Sequence, residues 1–153
     1  MYNHAPGGYK CPMCQLINGS DEELTKQADI IYKNQHITSF VAAKFLPNNP
    51  GHLVIVPNGH FENLYNISDE FLSEVHVFAK KAAIALKKVY SCDGVSIHQH
   101  NEPSGNQDMW HFHVHVFPRY ENDELYATMK QFRWSQPEER TEFVKKLKAY
   151  FAQ

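Results

Sequence analysis

From position 111 to 115 histidine recurs at every second residue, with Phe112 and Val114 between and Val116 and Phe117 following. Bulky apolar residues alternating with polar ones describe a β-strand with one face turned to a core. The three imidazoles then leave the opposite face, roughly 6.6 Å between successive ones, twice the strand rise. A fold gains nothing by lining up three imidazoles, so the spacing points to chemistry. Two kinds fit. Alternate histidines can converge on a metal ion, or a neutral imidazole can attack an electrophile while its neighbour handles protons and charge. Phosphorus suits the second scheme, because attack on a phosphate ester or anhydride gives a phosphoramidate that water then cleaves. His113 has an imidazole on each side and is the best placed nucleophile. A carbonyl accepting its Nδ1–H would leave Nε2 free to attack.

A second group stands near the start of the chain. Cys11 and Cys14 have the two-residue spacing shared by zinc sites and redox motifs. No thioredoxin-like strand–helix–strand pattern follows, which argues against redox. A structural zinc requires four ligands, so the pair needs two more donors from elsewhere.

The elements that must carry these groups follow from periodicity. Residues 29–34 and 37–43 read as two strands around a turn at Gln35 and His36, and residues 46–51 as a loop rich in turn formers. Residues 52–57 are a short continuous apolar run, the mark of a strand buried on both faces. Ser68 is placed to cap a helix with Asp69 and Glu70 in its first turn. Leu72, Val75, Phe78, Ala79, Ala82, Leu86 and Val89 then recur at helical steps over about five turns, until Asp93 and Gly94. Residues 95–101 read as a strand, 102–107 as a loop and 109–117 as the histidine strand, the two strands being antiparallel neighbours. Pro137 opens a last helix whose Phe143, Leu147, Tyr150 and Phe151 share a face. The expected class is α+β: a five-stranded antiparallel sheet with one long packed helix and a C-terminal helix. The expected organisation is one domain over 1–153, with a loose lead-in at 1–10, a core at 11–120 and a C-terminal extension at 121–153.

Composition narrows the function. The chain has 153 residues, 42% of them hydrophobic, and a formal charge of −2, which points to a globular fold and away from a nucleic-acid or membrane surface. The clustered lysines, at 80, 81, 87, 88, 145, 146 and 148, are expected to solvate exposed faces. The start of the chain lacks the features of a signal peptide, and a cytoplasmic location is expected. Three cysteines, the third being Cys92, do not suggest a disulfide framework.

The run from His111 to Phe117 resembles the signature of the histidine triad (HIT) superfamily, His-φ-His-φ-His-φ-φ with φ apolar. The resemblance extends to Pro50, Gly51, His52, Pro57 and His60 upstream, and to Asn101, Glu102, Gly105, Asn106 and Gln107 before the triad. Together these span about residues 11–120 and look like a zinc-containing bacterial-type HIT hydrolase. The resemblance implies a HIT-like sheet, a homodimer, and hydrolysis or transfer at the α-phosphate of a nucleotide conjugate. Dinucleoside polyphosphates and nucleoside phosphoramidates are the implied substrates. It makes His113 the nucleophile, with His115 stabilising the phosphate and leaving group and His52 supporting the triad. Gln107 and Asn101 would contact the phosphate region. It also completes the cysteine pair: Cys11, Cys14, His60 and His111 would bind a structural zinc, and the chemistry itself would need no metal.

Two residues depart from that pattern. Lys44 lies where relatives carry an Asp or Asn bonded to ribose hydroxyls, so it is expected to bind substrate differently, through an extra phosphate for example. Asp108 replaces a Ser or Thr beside the phosphate and is expected to face away or to pair with His115 or Arg119. Arg119 is expected to pair with a carboxylate. His98 and His100 could line the pocket or simply pack. His4, His36 and His76 are expected at the surface, Trp110 and Phe112 in the core, and Trp134 in ordinary packing or over a base. The competing classes are a non-catalytic nucleotide-binding protein and a cupin-like metal enzyme. The latter lacks the required glutamate, Phe117 and Pro118 standing in its place.

Overall fold

An apolar run with no polar interruption must be buried on both faces, and one such strand, Leu53–Pro57, forms the middle of the sheet. A computed structural model describes residues 2–153. It begins with a short helix, α1 (Pro12–Ile17), then β1 (Ile30–Lys33), β2 (Ile37–Val41), β3 (Lys44–Phe45) and β4 (Leu53–Pro57). Helix α2 (Asp69–Tyr90), β5 (Gly94–Gln99), β6 (Val114–Arg119), α3 (Leu125–Thr128), β7 (Arg133–Trp134) and α4 (Pro137–Phe151) follow. The main sheet has five strands in the order β1-β2-β4-β6-β5, each neighbour antiparallel. Fold class and sheet are those expected from the sequence.

Strand alternation sorts the side chains into two layers. Leu53, Ile55, Val114 and Val116 face α2, whose Val75, Phe78, Ala79, Ala82 and Leu86 complete one core. The other face carries Phe40, Val54 and Val56, covered by Met13, Leu16 and Ile17 of α1. His115 pairs with Val54 on β4 and with His98 on β5, so it belongs to this second face. The short α1 covers only part of that face, and the imidazoles occupy the part it leaves.

Several local expectations need correcting. The histidine strand begins at Val114, not at residue 109. The Phe112 N–H donates to the Phe61 carbonyl at 2.6 Å, which draws the preceding segment off the ladder. Helix α2 runs 22 residues, six turns. Ser68 holds its N-cap position but its hydroxyl caps nothing, and Ser91, left-handed at φ 53°, ends the helix before Asp93. The Lys87 ammonium donates to the carbonyls of Cys92 and Asp93 at 2.7 and 2.9 Å, so this lysine ties down the helix end. Trp110 is half-buried beside His4, outside the core, and His36 is half-buried against Phe71. Residues 2–10 hold no helix or strand, yet Glu62 accepts from the backbone N–H groups of His4 and Ala5.

The C-terminal extension adds an unexpected ribbon. Lys44 pairs with Trp134, and Phe45 with Arg133, in a two-stranded β3–β7 pairing too short to leave a periodicity in sequence. Behind it Arg140 of α4 is fully buried. Its guanidinium donates to both Asp29 oxygens at 2.8 Å, to Ser135 O at 2.7 Å and to Leu24 O at 3.0 Å. Gly51 meets α4 with a left-handed φ of 75°, and a Cβ there would stand 2.5 Å from a Phe143 ring carbon. Among the described residues no helix is long and apolar enough to cross a membrane.

Candidate active site and metal cluster

His113 is buried, and its Nδ1 lies 2.7 Å from the His111 carbonyl. A carbonyl only accepts, so Nδ1 carries the proton and Nε2 keeps its lone pair. That ring lines a cavity with His115 and His52. The His113 and His115 ring centres are 4.9 Å apart, and His115 Nδ1 is 3.3 Å from His52 Nε2. His52 stacks on Phe117 at 4.3 Å, and its own Nδ1 is buried with no partner.

Burial decides the charge of this group. It pushes His52 down to about 3, helped by the Lys44 charge and His98. His113 is lowered by burial against the opposing pull of its bond to His111 and of Asp108. His115 is held well below the usual imidazole range by burial and by His113 and His52. Burial thus favours the uncharged form of all three, the form in which an imidazole can attack.

The cavity is apolar on one side, where Met13, Phe40, Ala42, Val54 and Met109 line it, and charged at the rim, where Lys44 and Asp108 face each other. Lys44 Nζ is 3.5 Å from Asp108 Oδ2 and 4.2 Å from the Phe132 ring centre. Asp108 thus pairs with Lys44, in place of the expected His115 or Arg119. Trp134, half exposed, lines the same rim. Arg119 does pair with a carboxylate, Asp123, at 2.7 Å. That carboxyl is held far below its ordinary range by the guanidinium.

The two amides expected at the phosphate lie apart from the cavity wall. Gln107 Nε2 donates to Glu62 O at 2.6 Å and to Met109 O at 2.9 Å, and its Oε1 accepts from Glu102 N at 2.8 Å. Asn101 Oδ1 accepts from Leu64 N at 2.8 Å, and its Nδ2 donates to Gln99 Oε1 at 2.8 Å. These bonds shape the loop before the triad; both Gln107 N–H donors are engaged, so that amide would have to exchange a partner to meet a phosphate, whereas Asn101 Nδ2 uses one of its two. His100 donates from Nδ1 to Gly105 O at 2.8 Å, and His98 stacks on Tyr126. Neither lines the cavity that holds His113.

Cys11, Cys14, His60 and His111 form a separate cluster, their ligand atoms all within 4.8 Å of one another. Cys11 Sγ is 3.3 Å and Cys14 Sγ 3.7 Å from His111 Nδ1, and Cys14 Sγ is 3.3 Å from His60 Nδ1. A tetrahedral zinc with bonds of about 2.3 Å to sulfur and about 2.0 Å to nitrogen sets ligand atoms roughly 3.3–3.8 Å apart. The donor set therefore fits. His111 Nε2 donates to the Pro57 carbonyl at 3.0 Å, which fixes the tautomer that leaves Nδ1 bare for a metal. Without a cation, burial and Cys11 push the Cys14 thiol up to about 12. Helix α1 supplies the tight turn, with Cys11 as its N-cap and Pro12 behind it.

The sequence profile of the HIT domain matches residues 23–122. An uncharacterized HIT-like protein of Saccharolobus solfataricus is 33% identical over 138 residues, covering 89% of this chain and 93% of its own. An adenosine 5'-monophosphoramidase of Saccharomyces cerevisiae is 32% identical over 81 residues, 53% of this chain and 49% of its own. Among solved structures, a zinc-bound histidine triad family protein from Mycobacterium smegmatis has a TM-score of 0.77 at 23% identity, with 94% of each chain covered.

Proposed function

Since this chain belongs to the HIT family, we propose that it is a hydrolase or transferase acting at the α-phosphate of a nucleotide conjugate. The substrate would be a dinucleoside polyphosphate or a nucleoside phosphoramidate, and the intermediate a nucleotide carried on His113. One observation carries the reading: the His111 carbonyl holds the Nδ1 proton of His113, so a bare Nε2 stands in a cavity beside two more neutral imidazoles. The yeast monophosphoramidase among the relatives supports the substrate class.

The chemistry follows from that tautomer. Nε2 forms a bond to phosphorus as the bond to the leaving group breaks, and the leaving group takes a proton from water. Water then attacks the phosphoramidate, the N–P bond breaks, and the water gives up a proton. His115 would meet the phosphoryl oxygens or the departing atom. His52 would hold the His115 ring from behind. The apolar wall at Phe40 and Val54 would receive the base. Gln107 and Asn101 would set the loop that closes on the phosphate.

Cys11, Cys14, His60 and His111 would hold a zinc ion that ties the N-terminal segment to the triad. Its contribution is structural: His111, fixed as a ligand, presents the carbonyl that orients His113.

The test is turnover of adenosine 5'-phosphoramidate and of diadenosine polyphosphates. His113→Ala should lower kcat/KM by roughly three orders of magnitude or more. Undiminished hydrolysis by that variant would sink the proposal.

A further inference from the structure

Lys44 is the one lysine or arginine among the described residues lining the cavity. It stands on the rim, in the short ribbon where it pairs with Trp134, while the reacting imidazole lies on the buried floor. The ammonium rests between the Phe132 ring at 4.2 Å and the Asp108 carboxylate at 3.5 Å. Both charged side chains are solvent-exposed in part, 32% and 70%, so the ion pair between them is worth little and yields readily to a stronger anion. A phosphate is such an anion, carrying more charge and three acceptor oxygens.

We infer that Lys44 recognises a second phosphate of the substrate, one other than the phosphate His113 attacks. Asp108 occupies its place in the free protein. The inference rests on the nucleotide reading above and narrows it: a substrate with one phosphate uses the floor and leaves the rim cation paired with Asp108. A substrate with two fills both. The second phosphate can sit on the ribose or next along the chain towards the leaving group. Neutral hydroxyls give an ammonium nothing it lacks in water. A phosphate does.

Equilibrium binding separates these cases without relying on turnover. Calorimetric titration would compare AMP, ADP and adenosine 3',5'-bisphosphate on the zinc-loaded full chain. One of the two diphosphorylated ligands should bind about tenfold more tightly than AMP at low salt, and that ratio should shrink as salt rises. ADP as the preferred ligand identifies the leaving side, and the 3',5'-bisphosphate identifies the ribose. Lys44→Met should bring the ratio close to one, Lys44→Arg should keep it, and Asp108→Asn should raise it by removing the competing carboxylate. Equal affinities for all three ligands in the unmodified protein would overturn the inference, as would a ratio that survives Lys44→Met. A failure of His113 to become nucleotidylated in the same preparations, with the ratio intact, would instead count against the reaction alone.

Discussion

Replacing His52 by Gln should flatten the acid sensitivity of this protein. The imidazole is 1% exposed, faces Lys44, His98 and His115, and stacks on Phe117. Burial lowers it from the ordinary 6.5 to about 3, so the unfolded chain takes up a proton there that the folded chain refuses. Stability therefore rises with pH across that window: it is complete above the unfolded value and falls as the solution is acidified towards the folded one. One such proton changes stability by about 1.4 kcal/mol per pH unit, which makes His52 responsible for roughly 2 kcal/mol of loss between about pH 7 and about pH 5. Urea denaturation of the unmodified protein and of His52→Gln at those two pH values measures the difference. Effects of acid on the zinc ligands are common to both proteins and cancel. The variant should lose roughly 2 kcal/mol less on acidification. Equal losses in the two proteins would refute the claim that this ring is buried uncharged.

Other expectations concern structure and metal. Arg140→Met strands the buried Asp29 carboxylate and should cost about 3–5 kcal/mol, of which a second change, Asp29→Asn, recovers a large part. Thermal melts of the single and double variants check this, and an uncorrected double variant would contradict it. Gly51→Ala meets both a left-handed backbone and the Phe143 ring, and should cost about 1–3 kcal/mol, with Phe143→Leu relieving part of it. Elemental analysis of purified protein should find one zinc per chain, and none in Cys14→Ser. Chelation should lower the Tm of the unmodified protein and leave that of Cys14→Ser where it is.

The sequence was informative where a period or a motif is local. The helical repeat from Leu72 to Val89 and the unbroken apolar run over residues 53–57 report the faces they bury and lie in the expected elements, whereas of the alternation at 111–115 only Val114 and His115 fall within β6. The cysteine pair and its two distant histidines also meet in space. What escaped depends on partners far apart in the chain. Nothing near Phe112 announces that Phe61 takes its N–H and delays the strand to Val114. Lys44 finds Asp108 only because the ribbon with Trp134 carries it to the rim, and a two-residue strand leaves no pattern. Gln107 and Asn101 are expected at the phosphate, whereas nearby carbonyls, N–H groups and the Gln99 side chain engage them. The burial of Arg140 follows from Asp29, more than a hundred residues away in the chain.

The proposed reaction runs through a single nitrogen atom, Nε2 of His113. Rapid acid quench of the protein with a nucleoside phosphoramidate, followed by intact-mass and peptide mass spectrometry, observes it directly. One nucleotidyl group per chain is expected, on the peptide containing His113 and absent from His113→Ala. Turnover with no covalent adduct at any quench time, or an adduct on another residue, would contradict it.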